Sequence, residues 1–174
     1  AGSAPAAPIN LSAVESIVDY EQWMRIFACQ HAVGNWDAYG FNRGKNAYTY
    51  KGQNAKFHQW TWDIDFTVGV GGDPANADNL FATTDPRVAA MWANPAILRA
   101  YWRAYQDIVN GPVNSAFMNP ILDAKAAALA ANNVNYDPAT VTTIKNYIRD
   151  RHNYLLTGRS VNVSNYSAIA FTTA

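Results

Sequence analysis

Asp37, Asn42, Asn46, Asp63 and Asp65 stand close together in the stretch NWDAYGFNRGKNAYTYKGQNAKFHQWTWDIDFTVGVGG, within a chain where only 15% of residues are charged. Carboxylate and amide oxygens are hard ligands, suited to Mg²⁺ or Mn²⁺ rather than to zinc. Read locally, the stretch predicts a polar loop, a strand from Asn46 to Tyr50, a turn around Gly52 and Asn54, and a second strand from Lys56 to about Asp65, closed as a hairpin. Alternation along the second strand is expected to turn Trp60, Trp62, Ile64 and Phe66 to the core, and Gln59, Thr61, Asp63 and Asp65 to the other face. Carboxylates at i and i+2 of one face lie roughly 6 to 7 Å apart, near enough to share a divalent cation. Asp63, Asp65 and the Asn46 amide are thus expected to face one solvent-accessible cleft that Asp37 also borders.

The chain that must position these groups has 174 residues, 49% of them hydrophobic, which suits a single core. With net charge zero, it carries no basic stripe for nucleic acid. Nor does any apolar run approach the roughly 20 residues of a membrane span. Cys29 is the sole cysteine, so no internal disulfide can form, and its apolar neighbours predict a buried small hydrophobe. Residues 1–11, beginning AGSAPAAP, read as a disordered or processed segment, and residues 12–159 as the folded domain. Residues 160–174 alternate weakly and read as the start of a following strand or linker.

Asp19 is placed to cap a helix running from Tyr20 to about Val33, with Gln22 completing a capping box and Gly34 as the stop. Trp23, Met24, Phe27 and His31 recur along it at helical spacing. After the hairpin, VGVGGDPANADN reads as a mobile glycine-rich segment without the spacing of a phosphate loop. Three later helices open on an Asx residue followed by proline: Asp85-Pro86 through Trp92, Asn94-Pro95 to about Val109, and Asp137-Pro138 to about Leu156. The second carries Ile97, Leu98, Tyr101, Trp102, Tyr105 and Ile108 on one stripe. An alanine-rich helix is expected from Ser115 or Asn119 to Ala131. On the last helix Val141, Ile144, Tyr147, Ile148 and Leu155 are expected inward and Lys145, Arg149 and Arg151 outward. The core is expected to draw on Trp23, Phe27, Trp60, Trp62, Trp92, Tyr101, Trp102, Ile144 and Ile148. Asn10, Asn162 and Asn165 each begin an N-x-Ser pattern, meaningful only in a glycosylating host. The fold class that follows is α+β and mainly α, an antiparallel β-hairpin packed on a helical bundle.

At NWDAYGFNRGKNAYTY followed by WTWDIDFTVG, the sequence resembles the CotH family of spore-coat kinases, atypical protein kinases of bacteria and some fungi. The shared features are an N-x-D loop at Asn35 to Asp37, an Asn-aromatic-x-Tyr strand at Asn46 to Tyr50, and a Trp-Asp-x-Asp segment from Trp62 to Gly69. The resemblance implies the C-terminal lobe of a protein kinase, with Asp37 as the catalytic-loop aspartate and Asp63, Asp65 and Asn46 holding Mg²⁺ or Mn²⁺. It places Asn46, Asn42 and Trp62 at the ATP. Asn42 stands at the D-x4-N spacing of ordinary kinase catalytic loops, and so competes with Asn46 as the metal-holding asparagine. Lys45 and Lys51 lie too near the hairpin to be the lysine of an N-terminal lobe, so the chain is expected to be the C-terminal catalytic lobe of a larger protein. The partner implied is a protein substrate bearing Ser or Thr, or the remainder of its own polypeptide. The family setting, together with low charge and high Asn, Thr and aromatic content, implies an exported, extracellular or cell-surface bacterial protein.

Two other readings compete. Asp63-Ile-Asp65-Phe66-Thr67-Val68 matches the D-x-D-x-T/V pattern of haloacid-dehalogenase phosphatases, with Asp63 as nucleophile and Asp65 as acid/base, which demands a parallel sheet. A non-catalytic binding or structural module would use the same aspartates to satisfy turns. His31, His58 and His152 show no metal-binding spacing and read as structural, with His58 on the core face of its strand.

Overall fold

The computed structural model describes residues 9–41, 45–53 and 55–158. Asn42, Asn54 and the stretch expected as a strand from Ser160, with Asn162 and Asn165, lie outside the described residues. Helix α1 (Leu11–Ile17) is capped by Asn10, whose side chain accepts from Ala13 N, and the sequence reading did not anticipate it. Helix α2 (Tyr20–Ala32) starts at Asp19, whose carboxylate accepts from Gln22 N, and the chain leaves it at Gly34 with φ 74°. Helices α3 (Pro86–Trp92), α4 (Pro95–Asn110) and α6 (Pro138–Asn153) each begin with proline behind the side-chain cap of Asp85, Asn94 or Asp137. Helix α5 (Ser115–Ala131) keeps Pro120 in its first turns, and a π-helical turn, Tyr154–Gly158, follows α6.

The core forms where α2 packs along α4. Met24, Phe27, Ala28 and Ala32 of α2 meet Ile97, Tyr101, Ala104, Tyr105 and Ile108 of α4, with Leu80 and Leu155 closing the ends. Aromatic rings fill the space between them at edge-on and tilted angles, the nearest pair being Trp92 and Tyr101 with centroids 4.4 Å apart. The buried stripe of α2 passes through positions 24, 27, 28 and 31. Cys29, one helical step off that stripe, is exposed, at a cleft it shares with Arg25, Asp107 and Pro112, so the expectation of a buried thiol is corrected.

Among the described residues there is one sheet, of two antiparallel strands, β1 (Ala47–Lys51) and β2 (Phe57–Thr61), with Tyr48 opposite Trp60 and Tyr50 opposite His58. This arrangement is the α+β, mainly helical class expected, and the parallel sheet a phosphatase reading requires is not found among these residues. The facing of β2, however, is the reverse of the prediction. Gln59 is 1% exposed, whereas Trp60 and Trp62 are 61% and 59% exposed, and Ile64 and Phe66 also lie at the surface. His58 shares the solvent-side face with Tyr50 and Trp60.

The physical reason lies in how the hairpin is attached. It meets α2 through its backbone edge rather than through an aromatic face. Asp19 N and Trp23 Nε1 both donate to Phe57 O, Gln22 Nε2 donates to Gln59 O at 2.7 Å, and Gln59 N donates back to Gln22 Oε1 at 2.9 Å. Gln22 therefore ties helix to strand instead of closing the predicted capping box. Trp60 and Trp62 leave the core set; Phe27, Tyr101 and Ile148 are buried, and Trp23, Trp92 and Trp102 pack partly buried against the cluster.

Arg151 is a second correction. Expected outward, it is fully buried, and its guanidinium donates only to neutral acceptors: Ala32 O, His31 O, Ala75 O, Ala77 O and Asn79 Oδ1. It pins α6 to the C-terminal carbonyls of α2, where a cation is favoured by the helix dipole. Tyr147 Oη donates to Ala32 O beside it.

Candidate functional site

The end of α2 delivers the chain into the N-x-D loop. Gly34 takes a left-handed φ of 74°, and a Cβ there would stand 2.8 Å from Asp73 O and from Tyr147 Oη, so this turn needs glycine. Asn35 is fully buried. Its Nδ2 donates to Gln30 Oε1 at 2.8 Å and its Oδ1 accepts from Asp37 N at 3.2 Å, which fixes the backbone on which Asp37 sits. The sequence reading missed this orienting role, although the spacing of Asn35 and Asp37 is that of an Asx turn.

Asp37 is nearly buried, and consecutive residues of the hairpin entry reach it. Asn46 Nδ2 donates to Asp37 Oδ2 at 2.8 Å and to Asp37 O at 3.1 Å. Lys45 Nζ lies 2.5 Å from Asp37 Oδ1. Asn46 adopts φ 57°, a left-handed conformation that asparagine tolerates, and this turns its amide back onto the loop. Its nitrogen is committed to Asp37, so the amide oxygen is the atom available to a cation.

The aspartate pair is placed differently from the strand prediction. Strand β2 ends at Thr61, and Asp63 (φ 53°) and Asp65 are exposed residues of the irregular segment after it. Strand alternation therefore does not set their facing. Asp63 is nevertheless held near the site, because Trp62 N donates to Asn46 O at 3.1 Å. Trp62 itself stands edge-on to Tyr48 in the solvent, with ring centroids 5.4 Å apart.

The glycine-rich run that follows is tied to the end of α2 and to the N-x-D loop by hydrogen bonds. Val68 N donates to Val33 O, Asp73 N to Gly34 O, and Trp36 Nε1 to Gly71 O, while Trp36 stacks on Phe66 at 5.8 Å. Gly72 has no room for a side chain, since a Cβ would meet Gly34 O and Phe66 O at 2.8 Å. The segment bearing Asp63 and Asp65 is thereby stitched to the loop bearing Asp37.

No group of three His, Cys, Asp or Glu side chains is placed to hold a metal among the described residues. Mg²⁺, however, commonly takes one or two protein carboxylates and completes its shell with phosphates and water. Asp63, Asp65 and the Asn46 oxygen fit that limited demand by their chemistry. The histidines serve structure: His31 is buried between Tyr101 Oη and Ala82 O, His58 lies 3.7 Å from Asp19, and His152 meets Val113 O. Burial pushes His31 down to about 4.

A family model described as CotH kinase protein matches residues 8–164. No curated protein matches the chain.

Proposed function

This chain belongs to the CotH kinase family, and on that premise we propose that it is the catalytic-lobe portion of an exported protein kinase that transfers the γ-phosphate of ATP to Ser or Thr of a partner protein. The observation that carries the reading is the clamped carboxylate: Asp37, nearly buried, oriented by Asn35 and bridged to Asn46. A carboxylate so held is suited to accept the acceptor hydroxyl's proton while the new oxygen to phosphorus bond forms. The bond from phosphorus to the β,γ-bridging oxygen breaks, and ADP departs with that electron pair.

Asp63, Asp65 and the Asn46 oxygen would hold the Mg²⁺ or Mn²⁺. When bound, the ion neutralises charge on the phosphates. Trp62 offers an exposed ring, and its backbone N–H is bonded to Asn46 O, which suits it to the nucleotide base. Action outside the cytoplasm rests on the low charge and aromatic, Asn-rich composition.

Transfer of label from γ-labelled ATP to a Ser/Thr-containing protein, with Mg²⁺ or Mn²⁺ supplied, tests the assignment. Asp37→Asn should lower transfer by about 10² to 10⁴ fold, the usual span for a lost general base. Asp63→Asn should raise the Mg²⁺ or Mn²⁺ concentration that transfer requires. Transfer unchanged in Asp37→Asn refutes the role, and no transfer by the wild type even with the remainder of its polypeptide supplied favours a non-catalytic module.

A further inference from the structure

We propose that Lys45 is a further catalytic residue, the cation that meets the transferring phosphoryl group, and that its ion pair with Asp37 is the resting position from which it moves. The proposal rests on the kinase reading above. Its basis is geometric. A proton-accepting carboxylate must come within about 2.6 to 3.2 Å of the hydroxyl oxygen, and that oxygen within about 3 to 3.5 Å of phosphorus. The phosphorus is then no more than roughly 7 Å from an Asp37 carboxylate oxygen by the same distances. Lys45 Nζ already stands 2.5 Å from Asp37 Oδ1, at the end of a flexible four-carbon stem.

The two residues that hold Asp37 differ in their freedom. Asn46 is bound twice, to the carboxylate and to the backbone carbonyl of Asp37, and is fixed. Lys45 has a half-exposed side chain (47%) and, among the described residues, one ionic contact, so it is the freer of the two. Charge in the transition state spreads over the three equatorial phosphoryl oxygens, and a positioned cation stabilises it. As the lysine shifts to these oxygens, Asp37 Oδ1 is released to the acceptor hydroxyl. One ion pair thus couples arrival of the donor to exposure of the base. Lys51 cannot do this, since it lies over the Phe57 ring at the turn end of the hairpin, 5.4 Å from its centroid.

The contact is to the γ-phosphoryl group, so it separates ATP from ADP. Calorimetric titration of the chain with Mg·ATP and with Mg·ADP, for the wild type, Lys45→Met, Lys45→Arg and Lys51→Met, reads it without turnover. Lys45→Met should weaken Mg·ATP about tenfold, the worth of one charge-assisted contact, and leave Mg·ADP within about twofold. Lys45→Arg should retain the preference for ATP, and Lys51→Met should match the wild type. Equal weakening of both nucleotides, or of neither, overturns the role of Lys45 and leaves the kinase reading standing. Failure of the folded wild type to bind either nucleotide even with the remainder of its polypeptide supplied overturns the kinase reading and this proposal with it.

Discussion

Replacing Arg151 with methionine removes a guanidinium that is fully buried and touches no carboxylate in its hydrogen-bond set. Of its five acceptors, Ala32 O keeps the Tyr147 hydroxyl and His31 O keeps Gly34 N, so neither is stranded. Ala75 O and Ala77 O are only partly buried, and water can replace the lost donor. Asn79 Oδ1 is the acceptor left worst off, in a residue 4% exposed. An unsatisfied buried acceptor costs about 1 to 3 kcal/mol, and each lost bond to a charged donor contributes on a similar scale. Against this stands relief of the cost of burying the cation, which makes the sum smaller than the bond count suggests. The expected net loss is about 3 kcal/mol, a large share of the roughly 5 to 15 kcal/mol that holds a domain folded. Urea unfolding followed by tryptophan fluorescence and by circular dichroism measures it, with the slope m checked for constancy. Arg151→Lys should also be destabilised, because one ammonium cannot span acceptors on α2 and at Ala75, Ala77 and Asn79 together. A loss under about 1 kcal/mol for Arg151→Met, with m unchanged, would refute the claim that this cation holds α6 to the end of α2.

Two further outcomes follow from burial. His31 ionises at about 4 in the fold against an ordinary 6.5, so the unfolded chain binds the extra proton first; the stabilisation is complete above pH 6.5 and is lost as pH falls toward 4. The loss approaches about 3 kcal/mol, and wild-type urea midpoints at pH 7 and pH 4.5 should differ more than those of His31→Gln; equal differences would sink the argument. Trp60→Ser and Trp62→Ser, on the exposed face of the hairpin, should change stability by no more than about 0.5 kcal/mol, whereas Phe27→Ala should cost about 3 to 5. Thermal melts showing a core-sized loss at Trp60 would restore the reading of that face as interior.

Much of the helical frame was legible from local chemistry. The proline-led starts behind Asp85, Asn94 and Asp137, the Asp19 cap and the Gly34 stop each depend on a few adjacent residues, and each stands where the spacing put it. Helix α1 was less legible, because seven residues with one Asn cap give a weak periodic signal. The N-x-D loop and the Asn46 strand start were also visible as motifs, since their identity is written in contiguous residues.

What only the tertiary structure decided was direction. Alternation told which side chains of β2 share a face, but not that α2 would take the strand by its edge, leaving Gln59 inside and Trp60 outside. Helical periodicity marked Arg151 as charged and therefore outward, yet the carbonyls that receive it come from residues 31, 32, 75 and 77, remote in sequence. Lys45 was set aside on sequence position only as the lysine of an N-terminal lobe, and its ion pair with Asp37 is a contact that no local pattern announces. A residue's type and local period restrict its conformation, but the partner that satisfies a buried charge or backbone edge is chosen by how distant segments fold together.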